Sequence, residues 1–302
     1  MKNRDSIIYR LRRKMQVAAL KLTSKEFMSK RYFKMQLKYP LNLENPQTLN
    51  EKLQWLKLYH WENDTNAIKC ADKYAVRDYL ESIGEGELLN DLLFAWDSVD
   101  EIDWDKLPEK FVIKCNHGCA YNIICPDKSK LDIEATKKKL KRWMKEDFSC
   151  FNAEPHYSKI PRKIICEKFL EGELINYNIY CFNGVPTFLS VAGGLGDGVG
   201  EHLTYYNVDG TVAEFKNRNY PTYDNKLSPK LPEMIEIARR LSHNFPMVRV
   251  DLFDINGKII LSEMTFTPGG ALIPFSSVEA DRMLGHKLDI SDCMEVINGQ
   301  TR

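Results

Sequence analysis

No stretch of this 302-residue sequence approaches the roughly 18–20 apolar residues that a helix needs to cross a bilayer. The short apolar run at 17–20 is followed at once by Lys21, with no small-residue cleavage site, so a secretory leader is not expected. Net charge is almost absent. The 43 Lys and Arg against 42 Asp and Glu leave +1, and bulk electrostatics give no reason to expect nucleic acid as a partner. The eight cysteines form no CxxC pair, and several fall in strand-like runs such as FVIKC and KIIC. Buried free thiols in a reducing cytoplasm are expected, rather than disulfides or a metal site. Also missing are a GxxxxGKS or GxxxxGKT phosphate loop, a convincing Ser/His/Asp or Cys/His arrangement, internal repeats and long low-complexity linkers. What is there, with 43% hydrophobic and 28% charged residues, is an ordinary soluble globular composition.

The charge is unevenly spread. Residues 1–38 hold twelve Lys and Arg, opposed only by Asp5 and Glu26. Within them Ile7, Ile8, Leu11, Met15, Ala18 and Leu22 recur at helical spacing, which predicts a basic amphipathic helix over 4–24. Such a helix could lie on an anionic membrane surface or grip an acidic acceptor. Alternatively its apolar stripe packs on the protein and its basic face is solvated.

Residues 39–50 are punctuated by Pro40, Pro46, Asn42, Asn45 and Asn50. Thr48-Leu-Asn-Glu51 then reads as a capping box opening a helix that carries Leu53, Leu56 and Tyr59. A second helix is expected over 71–80. After a break at 106–108 comes the first strong strand, Phe111–Cys115, with 121–125 as its hairpin partner. Residues 132–147 read as a basic surface helix capped by Asp132. From Lys163 onward the pattern is strand-rich, with hairpin turns expected at Asn183-Gly184, Asp209-Gly210 and Asn256-Gly257 and one helix over 232–243. Successive hairpins mean antiparallel sheet, so the fold class is α+β rather than a doubly wound βαβ sheet.

Four segments could carry chemistry. Asp72-Lys73 lies in ADKYAVRDYL, with Arg77 one helical turn on, and by itself reads as a surface charge pair. Lys114 ends the strand FVIK and meets Asn116-His117-Gly118. The strand would fix the ammonium group, and the loop could bring backbone N–H groups to a phosphate or be an ordinary turn. The run IICEKFLEGE, ending at Glu173, suits a hinge whose backbone pairs with an adenine edge and whose Glu173 accepts from ribose hydroxyls. A strand end with solvated charges fits it as well. The fourth segment spans 247–270. Alternation places Arg249 and Asp251 on one face, and the Asn256-Gly257 turn returns Glu263 towards Asp251. Two carboxylates brought together are costly unless a cation joins them, and oxygen ligands of this kind suit Mg²⁺. A plain cross-strand Arg–Glu pair is the alternative.

Taken in order, ADK, FVIK with NHG, IICEKFL, RVD and EMTFTPG resemble the ATP-grasp superfamily, in the motif layout of the D-alanine–D-alanine ligase type. NEKLQWLKLY, DKYAVRDYL, LPEKFVIKCNHG, YCFNG and VRVDLF look like its TupA-like branch, linked to teichuronopeptide and other surface-polysaccharide synthesis. The resemblance covers about 45–290 and implies two α+β subdomains clasping ATP, at 96–172 and 173–302, behind a helical region at 1–95. It implies that Lys73, Lys114, His117 and Gly118 hold ATP phosphates, that Glu167, Lys168, Phe169 and Leu170 form the adenine hinge, and that Glu173 meets the ribose. Asp251 and Glu263 would bind Mg²⁺, and Arg249 and Lys114 would act in catalysis. Two positions depart from the pattern. Thr265 stands where the superfamily has an asparagine metal ligand, and Asn178 where the branch has a lysine.

The implied reaction joins a carboxylate to an amine through an acyl-phosphate, with a uronic or amino acid as the carboxylate, in surface-glycan synthesis. The glycine-rich stretch 193–200 could be a lid that excludes water from the acyl-phosphate, or equally a disordered connector. Rival readings are an ATP-grasp kinase and a glycosyltransferase-like protein of a polysaccharide cluster, associated with the membrane through the basic helix.

Overall fold

A computed structural model describes residues 7–172, 174–193 and 202–300. Five helices come first: α1 (Ile7–Leu22), α2 (Lys25–Leu37), α3 (Leu49–Trp55), α4 (Thr65–Ala71) and α5 (Val76–Ser82). Strands β1 (Leu92–Trp96), β2 (Phe111–Cys115) and β3 (Asn122–Cys125) lead to α6 (Ile133–Lys145) and β4 (Ile164–Lys168). The chain continues through β5 (Asn176–Phe182), β6 (Val185–Gly193), β7 (His202–Asn207) and α7 (Leu231–Ser242). Then follow β8 (Met247–Ile255), β9 (Lys258–Thr265), α8 (Val278–Gly285) and α9 (Ser291–Gln300). The strands form two antiparallel sheets, ordered β1-β4-β2-β3 and β7-β6-β5-β8-β9. The fold is α+β.

Local signals act as their chemistry dictates. Thr48 accepts from the Glu51 amide while the Glu51 carboxylate takes the Thr48 amide, closing the capping box at the start of α3. Asp132 caps α6 through the Ala135 amide. Asn183-Gly184 and Asn256-Gly257 both take positive φ, turning β5 into β6 and β8 into β9. Asp209-Gly210 does less than expected: its turn closes on a single bridge, Tyr206 with Val212, and not on a second strand. Strand β1 is not among the strands the sequence pattern predicts. It starts inside the segment assigned to the helical region at 1–95 and pairs with β4 in the smaller sheet.

The helix expected over 71–80 begins only at Val76, while Ala71 ends α4, leaving Lys73 on the turn between α4 and α5. The cause is Asp72, whose carboxylate accepts from the Tyr74 amide and the Asn116 side chain, both at 2.8 Å. A short acidic side chain that captures nearby donors competes with the helix ladder.

The larger core lies against the five-stranded sheet and gathers α7, α3 and α8, with Phe33, Trp61, Phe182 and Phe266 almost fully buried. A second core joins the four-stranded sheet to α6 through Phe111, Leu140, Trp143 and Phe148. All eight cysteines are free thiols, five of them buried. No helix among the described residues is long and apolar enough to cross a membrane.

Helix α1 buries none of its residues. Its apolar stripe does not pack on the protein: Ile7, Ile8, Leu11, Met15 and Leu22 are exposed. Val17 touches the second core instead, and the Arg13 guanidinium sits 3.8 Å from the Phe151 ring centroid.

Two buried histidines set an acid limit on stability. Burial pushes His117 down to about 4 and His156 down to about 3 from the ordinary 6.5. The unfolded chain therefore takes up protons first as pH falls. Stability is full above pH 6.5 and is lost as pH drops towards the folded values, by about 2 kcal/mol for each histidine at pH 5. Urea midpoints should fall markedly between pH 7 and pH 5, and His156→Phe should remove part of the fall. A flat profile in both proteins would show that these rings are not held neutral.

Candidate active site

The larger sheet arranges polar side chains in a grid. Its register sets Asn178 opposite Asp251 and Asp251 opposite Glu263, with Tyr180, Arg249 and Thr265 in the neighbouring row. Directly opposed residues share a face, so all six project from one side. A bulge makes this possible. From the Asn256-Gly257 turn the pairing runs to Leu252 opposite Leu261, but Asp251 then faces Glu263, leaving Ser262 as the extra residue. With an unbroken register Ser262 would face Asp251, and Glu263 would point to the opposite side of the sheet.

Arg249 ties the grid together. It donates Nε to Asp251 Oδ1 at 2.6 Å and Nη2 to Oδ2 at 2.5 Å, reaches Thr265 Oγ1 at 3.2 Å, and lies 3.5 Å from Glu263 Oε1. Thr265 in turn donates to Glu263 Oε1 at 3.2 Å. Asp251 is fully buried, which raises its carboxyl to about 7 despite Arg249. Burial pushes Glu263 up too, but the Lys73 ammonium and Arg249 outweigh it and hold Glu263 at about 2.

The smaller sheet supplies the facing charges. Lys114 on β2 donates to Glu167 Oε2 on β4 at 2.6 Å, and Arg77 of α5 stands 3.9 Å from Glu167 Oε1. Lys73 connects the two sheets, 3.2 Å from Glu263 Oε2 and donating to the Gly118 carbonyl at 3.0 Å. Asn116 steadies that turn, donating to Asp72 and to the Pro161 carbonyl at 2.8 Å each and accepting from the Lys163 amide at 2.7 Å. Lys73, Arg77, Lys114, Glu167, Ser262 and Glu263 thus line one cavity of about 20 Å³. That is far smaller than a nucleotide, so binding one must part the Lys114–Glu167 and Lys73–Glu263 pairs. Sequence reasoning gave no role to Arg77 or Asn116. The Asn in NHG was the available signal for the second.

Other expected residues sit apart. The His117 ring is buried beneath α6, with Nε2 3.1 Å from the Trp143 carbonyl oxygen, so its side chain belongs to packing and not to this cavity. Gly118 is a glycine for a steric reason: a Cβ there would lie 2.7 Å from Phe148 and 2.8 Å from Tyr121. Lys168 is exposed and pairs with Asp91. Its backbone N–H and C=O are taken by the Asp91 carbonyl and the Asn90 side chain, which leaves Phe169 and Leu170 as the hinge positions without such contacts. Glu173 and residues 194–200 lie outside the described residues.

The donor set fits a divalent cation shared with phosphates. Asn178 Oδ1 is buried and accepts no hydrogen bond, in the same row as the two carboxylates. An orphaned carbonyl oxygen beside two carboxylates is what a hard cation satisfies. Among the described residues no cluster of three His, Cys, Asp or Glu could hold a metal unaided. Such an ion would therefore take Asp251, Glu263 and Thr265 or Asn178, with phosphate and water oxygens completing its shell.

In three dimensions the chain is similar to an L-amino acid ligase from Bacillus licheniformis, at 15% identity and TM-score 0.40, covering 68% of this chain and 43% of that one. It is also similar to D-alanine–D-alanine ligases from Bacillus anthracis (17% identity, TM-score 0.39, 67% and 58% covered) and Helicobacter pylori (15%, 0.39, 80% and 69%). The chain thus spans about half the length of the first two. No curated protein matches it. Residues 51–289, which carry the whole cavity and the grid behind it, match the TupA-like ATPgrasp family model, and the chain belongs to that family.

Proposed function

We propose that this chain is an ATP- and Mg²⁺-dependent carboxylate–amine ligase. It would form an amide through an acyl-phosphate, adding an amino compound to a uronic or amino acid in surface-polysaccharide synthesis. One observation carries the reading: Lys73, Lys114 and Glu263, distant in sequence, line a single cavity between the two sheets. Lys73 and Lys114 would exchange their carboxylate partners for nucleotide phosphates. Arg249, already aimed at the carboxylate grid, would meet the charge that develops on the transferred phosphoryl group. The backbone at Phe169 and Leu170 would take the adenine edge. Bound Mg²⁺ would neutralise the phosphates and orient them for in-line transfer. The family match supports the ATP chemistry, and the glycan setting rests on the sequence resemblance alone. A need for ATP supports a cytoplasmic setting for the reaction.

Screening pairs of carboxylates and amines for ATP-dependent phosphate release tests the reading. A ligase releases phosphate when both partners are present. A kinase phosphorylates a hydroxyl acceptor with no amine present, and that outcome would replace amide formation with phosphorylation.

A further inference from the structure

Helix α1 presents a face that the fold does not use. Ile7, Ile8, Leu11, Met15 and Leu22 are 80%, 82%, 59%, 65% and 85% exposed. They form one stripe, nearly half a turn round the helix from Val17 and Arg13, which face the protein. The inner side is held off by a cavity of about 850 Å³, lined from α1 by Tyr9, Arg13 and Val17 among others. The helix therefore rests on few contacts, Val17 and Arg13 foremost, and these fix its outer face outward.

Charge says what that face meets. Residues 7–38 carry ten Lys and Arg and one acid, Glu26, whereas the whole chain nets only +1. The cationic excess is thus concentrated in α1 and α2, with a second basic run on α6. On α1 the exposed Arg12 borders the stripe on one side, and exposed Arg10, Lys14 and Lys21 border it on the other. An apolar stripe flanked by cations on both edges suits an interface that is apolar beneath and uniformly anionic at its surface. Helix α1 carries no acidic residue, so nothing on it repels an anionic surface. A stripe this exposed is also costly to leave in water.

We propose that α1 lies on an anionic lipid bilayer, with its apolar stripe below the headgroups and its cations among them. The surface is independent of the ligase chemistry at Glu263.

Flotation of the full chain with vesicles tests this. The wild-type protein should float with vesicles of equimolar phosphatidylglycerol and phosphatidylcholine, be released by high salt, and stay behind with phosphatidylcholine alone. Leu11→Asp/Met15→Asp should lower the partition about tenfold or more, with circular dichroism and thermal midpoint unchanged because both positions are exposed. Arg12→Gln/Lys14→Gln should lower it less and weaken its salt dependence. Equal flotation on both vesicle types, or undiminished flotation of the Asp variant, would overturn the proposal. So would a concentration-dependent dimer that the Asp variant dissolves, in a protein that binds no vesicles; the face would then belong to a second copy.

Discussion

Glu263→Gln is expected to lower ATP-dependent phosphate release at least about a hundredfold while the protein stays folded. Glutamine keeps the hydrogen bond from Thr265 but carries no charge to share with a cation or with Lys73. Glu263 is held at about 2, so the wild-type side chain is a full carboxylate across the working pH range and the substitution removes a whole charge. A second readout separates metal binding from turnover. Binding of Mn²⁺ in the presence of a nonhydrolysable ATP analogue, followed by electron paramagnetic resonance, should weaken in the variant. Wild-type turnover with wild-type Mn²⁺ affinity would leave Glu263 as no more than the anchor of Lys73.

Arg249→Met should lose about a thousandfold in turnover, as removal of a charge-stabilising arginine does elsewhere in phosphoryl transfer. It should also cost about 3–5 kcal/mol of stability at pH 8, because two neighbouring carboxylates lose their shared cation. The stability cost has a predictable pH sense. Burial already raises Asp251 to about 7 with the arginine in place, and removing Arg249 raises it further. The stranded carboxyl then takes a proton as pH falls, so the penalty should shrink between pH 8 and pH 6. Arg249→Met/Asp251→Asn replaces the pair as a unit and should recover most of the stability, but none of the turnover. Urea titrations of wild type, both single variants and the double variant would measure this cycle. A penalty that ignores pH and survives in the double variant would mean that the charges are not coupled as described.

How much of this was legible in the chain depends on how local each cause is. Thr48 with Glu51, Asp132 with Ala135 and the Asn-Gly turns act over two to four residues, and each reads directly. Period-two alternation likewise placed Arg249 and Asp251 on one face. Errors arose where a distant group decided. Asp72 ended a helix through Asn116, 44 residues away, and so moved Lys73 onto the turn where it bridges the sheets. His117 sits in a motif that suggests phosphate binding, but its ring went to the Trp143 carbonyl because α6 covers it.

The sequence by itself determined the antiparallel α+β class, the caps, the hairpin turns and the identities of the charged residues. Each follows from short-range sterics, hydrogen bonding or side-chain alternation. The sequence already placed Glu263 near Asp251, but only the tertiary structure supplied the register, because one bulged residue, Ser262, reverses which side of the sheet Glu263 occupies. The tertiary structure also decided that α1 turns its apolar stripe outward. Periodicity defines a stripe, but whether any surface covers it depends on every element that packs nearby.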